Sequence, residues 1–155
     1  VLLKLTIKNM NSIKNLYLTQ LTQLKNEIEL YKEEANIWNI TEGISNKPGN
    51  ICLHICGNLN YFIGAEISKT GFVRDREKEF NETYLSKNDL LKGVDDTIAM
   101  IQHTFDNLKN EDFEKIYPLE KFGKNVTYAF IFARLVSHLS YHLGQINYHR
   151  RIIEN

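Results

Sequence analysis

Apolar side chains recur at three- and four-residue spacing along four stretches of this chain, and no stretch has a proline in its interior. Four helices are predicted. The first runs from about Asn11 to about Ala35, with Ile13, Leu16, Tyr17, Leu21, Leu24, Ile28 and Tyr31 on one stripe and Asn11 or Ser12 available as cap. The second starts at Pro48, whose fixed φ suits a first helical turn, and carries Ile51, Leu53, Ile55, Leu59, Tyr61 and Phe62 up to Gly64. Apolar on most sides, it is predicted to pack deeply. Ser86, followed by Asp89 at capping-box distance, opens a third helix through Leu90, Leu91, Val94, Ile98, Ile101 and Phe105 to about Leu108. The fourth spans about Val126 to Ile153.

Between the second and third helices lie about twenty residues, Glu66 to Leu85, rich in charge and without a repeat. Antiparallel neighbours need only short loops, so a connection of this length lets two successive helices run the same way. The expected fold is therefore all-α, a four-helix bundle in up-down-down-up order with a long crossover between helices 2 and 3. No internal repeat or composition break divides residues 1–155, which read as a single domain.

Composition narrows the partners. Hydrophobic residues make up 43% and charged residues 25%, the balance of a globular chain. Nineteen basic residues offset nineteen acidic ones, so no global field draws in nucleic acid or an anionic membrane. A small-molecule substrate or a second copy of the chain, as a homodimer, is expected instead. The opening VLLKLTIKNMN is apolar only in short pieces and fits neither a leader nor a membrane span. Cys52 and Cys56, one helical turn apart, are read as reduced fillers, and a cytoplasmic setting follows.

The chemistry lies in the histidines. In LVSHLSYHLGQINYHRR, His138 and His142 share a helix face with Cβ atoms about 5–6 Å apart, close enough to reach one metal ion. His54, in ICLHICGNLN, is brought to a similar height if helices 2 and 4 are antiparallel. Three such ligands leave a zinc-type site with an open position. The competing reading is an ordinary packed or surface imidazole at each place. His149 lies roughly 10 Å beyond His142 along the helix axis and is excluded from the same site. His103 stands apart on the third helix and is expected to face solvent or a helix boundary.

Other candidates surround the triad. Asn58 and Gln145, each about one turn from a histidine, can orient an imidazole or meet a substrate. Arg74 and Arg76 can serve an anion, although the alternating charges of GFVRDREKEF read first as a solvated, salt-bridged loop. Trp38 can wall a pocket at the bundle mouth, but core closure is the reading adopted, and Tyr141 and Tyr148 are read as core aromatics. No obvious acid or base accompanies the triad in the sequence; Glu27, Glu29, Glu33 and Glu34 of the first helix are candidates for one, read first as solvated surface glutamates.

Three stretches, IWNITEGISNKPGNICLHICGNLNYFIG, GFVRDREKEF and LVSHLSYHLGQINYHRR, resemble the DinB-like superfamily of four-helix metalloproteins, and the likeness covers nearly the whole chain. That superfamily's triad of one histidine from helix 2 and an HxxxH pair from helix 4 maps onto His54, His138 and His142. The resemblance implies an up-down-down-up bundle, often a homodimer, with a divalent metal, zinc or nickel before iron or manganese. Characterised members include thiol-dependent transferases and an isomerase, which makes a low-molecular-weight thiol an expected cosubstrate. The function expected is thus a metal-dependent enzyme, an S-transferase or a hydrolase acting on a small molecule. The alternative is a non-catalytic, metal-stabilised dimeric bundle that binds a partner or senses metal.

Overall fold

The computed structural model describes residues 10–154. Residues 1–9, which include most of the segment read above as neither leader nor span, lie outside them. The described chain is helical, without a strand among the described residues. Its α-helices are α1 (Met10–Glu29), α2 (Pro48–Leu59), α3 (Arg76–Asn81), α4 (Lys87–Asn107) and α5 (Tyr128–Ile153). None of them is long and apolar enough to cross a membrane.

Ends follow local chemistry. The Ser86 hydroxyl accepts from Asp89 N–H at 3.1 Å while the Asp89 carboxylate accepts from Ser86 N–H at 3.1 Å, which is the capping box predicted for α4. Thr127 caps α5 by accepting from Phe130 N–H at 3.3 Å. The start of α1 differs from expectation, because the Met10 N–H is held by Asn110 Oδ1 at 3.1 Å, a partner far along the chain. Past Leu59 the helix containing His54 widens into a π-helical turn, Asn60–Ala65.

The predicted first helix is also too long at its far end. Its backbone leaves the helix after Glu29 because tertiary partners claim the next residues. The Glu154 carboxylate accepts from Lys32 N–H at 3.0 Å and from Asn36 Nδ2 at 2.9 Å. Tyr31 turns inward to donate to His149 Nδ1 at 2.8 Å, and His149 Nε2–H donates to the Asn39 carbonyl at 3.0 Å. Both ring nitrogens of this buried imidazole are thereby occupied in its neutral form.

Burial lowers the pKa of His149 below its ordinary 6.5, outweighing the hydrogen bond to Asn39. As pH falls through about 6.5 the unfolded chain takes up a proton that the folded chain refuses, so stability declines on acidification. Urea midpoints at pH 7.5 and pH 5.5 should show that decline, and His149→Gln should shrink it. An undiminished pH dependence in the variant would contradict this role for His149.

Tyr17, Leu21, Leu24 and Ile28 of α1 meet Leu90, Val94 and Ile101 of α4 and Ile131, Phe132 and Ile146 of α5 in one core. Each such side chain contributes roughly 1.5–3 kcal/mol on full burial. Leu16, placed on the core stripe by periodicity, is 43% exposed, at the edge of that stripe. Lys14 pairs with Asp106 and Lys25 with Asp95, contacts that run α1 opposite to α4. Tyr17 donates to the Phe132 carbonyl and Arg150 pairs with Glu27, contacts that run α1 and α5 the same way. Asn60 Nδ2 donates to Thr97 Oγ1 at 2.9 Å, joining the α2 extension to α4.

The long connection, in which GFVRDREKEF reads as a solvated, salt-bridged loop, holds the short helix α3. Asp75 accepts from Lys78 N–H at 2.9 Å and so caps α3 inside it. Asn50 Nδ2 donates to the Glu79 and Glu82 carbonyls at 2.9 and 2.6 Å, fastening the end of α3 to α2.

Candidate metal centre

Asn50, His54 and Gly57 fall at i, i+4 and i+7 on α2 and so share the face that receives α3. Above this face sits the carboxylate of Glu79. Its Oε2 accepts from His54 Nδ1 at 3.0 Å, and Arg74 grips both oxygens, Nε to Oε1 at 2.6 Å and Nη2 to Oε2 at 2.8 Å. The Arg74 Nη2 to His54 Nδ1 separation of 3.2 Å joins two donors that share one acceptor oxygen, not a donor to an acceptor. Burial pushes the Glu79 carboxyl up, and the hydrogen bonds from Arg74 and His54 more than offset this, holding it below the usual carboxylate range.

Gly57 makes the arrangement possible. A Cβ at that position would occupy the space of Glu79 Oε1, so any larger residue forces the carboxylate to shift from where it stands.

From α5, His138 and His142 project one turn apart, and their Nε2 atoms approach to 3.1 Å. His54 Nε2 lies 3.4 Å from His138 Nε2. The three ligand atoms all lie within 4.8 Å of one another, so this group could hold a metal ion. Gln145 Oε1 accepts from His142 Nδ1 at 2.7 Å. With Nδ1–H of His54 and His142 each committed to an oxygen, the Nε2 lone pairs of both face the common point. Lone pairs that converge repel one another unless a proton or cation lies between them. Three imidazole nitrogens, two of them on rings with outer hydrogen-bond partners of this kind, are a donor set suited to a divalent transition metal. Burial, then the neighbouring His142 and His54, push the His138 pKa down to about 4. Burial likewise lowers His142. Both rings are therefore neutral at neutral pH, the form in which an imidazole can bind a metal.

The triad is not sealed. A cavity of about 730 Å³ adjoins it, with His54, His138 and Asn58 among its walls. The model of the family described as Protein of unknown function (DUF1572) matches residues 2–155. The chain belongs to this family. DUF1572 is a DinB-like family, in agreement with the resemblance carried by the histidine motifs. No curated protein and no solved structure matches the chain.

In this DUF1572 chain the remaining candidates divide. Asn58 is buried on the cavity wall, and Arg76 lines the same cavity from its exposed position. Gln145 holds His142 and donates through Nε2 to Tyr141 Oη at 3.3 Å. Trp38 lies outside the cavity, where its Nε1–H donates to the Leu85 carbonyl at 3.0 Å and its ring covers Gly49, closing the core as read. His103 is exposed. Two readings are corrected. Arg74 does not sit in a solvated loop, because its pair with Glu79 leaves the two side chains only 10% and 7% exposed. Tyr141 and Tyr148 are not core aromatics, since they stand 65% and 66% exposed on α5.

Glu79 and Gly57 were missed. The available signal was Gly57 itself, an isolated glycine in a strongly apolar helix, which costs about 1 kcal/mol against Ala unless something packs there.

Proposed function

We propose that this protein is a single-domain, divalent-metal-dependent enzyme acting on a small molecule, with His54, His138 and His142 as ligands. The four long helices are read as an up-down-down-up bundle: α1 runs against α4 and with α5, and the Asn60 to Thr97 contact sets the α2 extension beside α4 across the crossover. One observation carries the enzyme reading over a structural metal role. The triad opens into a cavity large enough for a small substrate, whereas a purely structural ion is enclosed by its ligands.

When bound, a zinc or nickel ion supplies Lewis acidity that favours the deprotonated form of a thiol or of water. The chain's own residues do the rest. Glu79 fixes the tautomer and orientation of His54, Gln145 does the same for His142, and Arg74 keeps the Glu79 carboxylate ionised. Asn58 meets the substrate on the cavity wall. A cytoplasmic location and a homodimeric state complete the proposal, the first supported by the two free cysteines.

The test is a two-armed assay of metal-loaded protein. One arm pairs low-molecular-weight thiols with an electrophilic acceptor, and the other offers ester and amide substrates without thiol. Turnover above the chelator-treated and His142→Ala controls is expected in one arm. Rates indistinguishable from both controls throughout would remove the enzyme reading.

A further inference from the structure

The walls of the cavity beside the triad are unevenly charged. Arg74, Arg76, Lys121 and Arg134 line it, and among the described residues no carboxylate does. For a chain whose basic and acidic residues balance, nineteen against nineteen, this is a concentrated local asymmetry. Arg74 is neutralised by Glu79. Arg76, Lys121 and Arg134 have no carboxylate partner within ion-pair distance among the described residues.

Two of these cations are held in place by aromatic faces. Lys121 Nζ stands 5.0 Å from the centroid of Phe62, and the Arg134 guanidinium 5.3 Å from that of Phe122. The two rings meet edge to face at 4.8 Å, so the charges are tied to one aromatic unit. That unit is anchored by Tyr117, whose hydroxyl donates to the Phe62 carbonyl at 2.8 Å. Backbone pairing of Ile116 with Thr127 clips the segment carrying Lys121 to the start of α5. Arg134 precedes His138 by one turn of α5, about 6 Å along the axis.

One turn before Phe62, the same cavity lining carries an unmet need at Asn58. Asn58 is only 7% exposed, and its Oδ1 is buried without a hydrogen-bond partner. A buried acceptor left alone is unfavourable, so an N–H or O–H donor brought by a ligand would be matched there.

We propose that the cavity binds a small molecule bearing an oxyanion group, carboxylate or phosphate, held by Lys121 and Arg134 about one helical turn from the histidine triad. Arg76 adds to the attraction from the rim, and a hydroxyl or amine on the same molecule donates to Asn58 Oδ1. This deepens the enzyme reading above and rests on it for what happens at the triad, although the anion site itself uses none of the three histidines.

The test is calorimetric titration of the metal-loaded full chain with inorganic phosphate and, separately, with glycolate. Saturable binding of at least one is expected, the tighter of the two naming the oxyanion. The exposed pair Lys121→Gln and Arg134→Gln, combined, should raise that Kd at least tenfold with metal content and melting temperature unchanged. Asn58→Leu should weaken glycolate more than phosphate. His142→Ala should still bind the anion, through the cationic wall. Wild-type affinity in the charge variant, loss of anion binding in His142→Ala alone, or no saturable binding of either probe would each overturn the proposal. Full metal content in His142→Ala would instead sink the metal assignment while leaving the anion site to be judged by the charge variant.

Discussion

Glu79→Leu should destabilise the metal-free protein by about 3–5 kcal/mol, the effect of breaking a buried ion pair and leaving one charge alone. Arg74, its side chain only 10% exposed, would lose both of its carboxylate contacts, and the His54 Nδ1–H would lose its acceptor. The double variant Arg74→Met with Glu79→Leu should recover much of that stability, since an apolar pair of similar volume replaces the desolvated charges. It should not recover the orientation of His54, so metal affinity stays reduced by roughly 10–100-fold. Urea unfolding and metal titration of the three proteins separate the two effects. A Glu79→Leu midpoint equal to wild type would show that the carboxylate has no such role.

That triplet of residues marks the boundary of what the sequence made legible. Helical periodicity placed the long helices, and the Ser86 and Asp89 capping box located the start of α4 to the residue. His54, His138 and His142 were readable because two of them obey a local rule, four residues on one helix face, and the third lies in a helix too apolar to leave an imidazole unpartnered. Glu79 obeys no local rule. It reaches His54 across 25 positions of sequence, through a short helix whose order depends on Asp75, Asn50 and Arg74 together. Alternating charges in GFVRDREKEF look the same whether they are solvated or folded onto a glycine. The early end of α1 was hidden for the same reason, since Glu154 and His149, which draw the chain out of the helix, lie more than a hundred residues away.

Removing the metal is the second large perturbation. A ligand present at about 100 times its Kd stabilises the folded state by about 2.7 kcal/mol, and at 1,000 times by about 4.1 kcal/mol. Chelator should therefore lower the melting temperature of wild-type protein by several degrees, with excess zinc or nickel restoring it. His142→Ala should melt near the chelated wild type and respond to neither treatment. The variant's fold should persist, because His142 is half-buried and makes its side-chain hydrogen bonds only to Gln145 and its triad neighbour His138. A variant that still gains stability from metal would point to ligands elsewhere.

The whole account turns on three Nε2 atoms serving one ion. Elemental analysis of protein purified without chelator, joined to X-ray absorption at the metal edge, tests this directly. The expected result is about one divalent ion per chain, with scattering from three imidazoles in the wild type and loss of the ion in His54→Ala, His138→Ala and His142→Ala alike. Protein that stays metal-free in excess zinc and nickel, or an ion retained in any one of those variants, would contradict it.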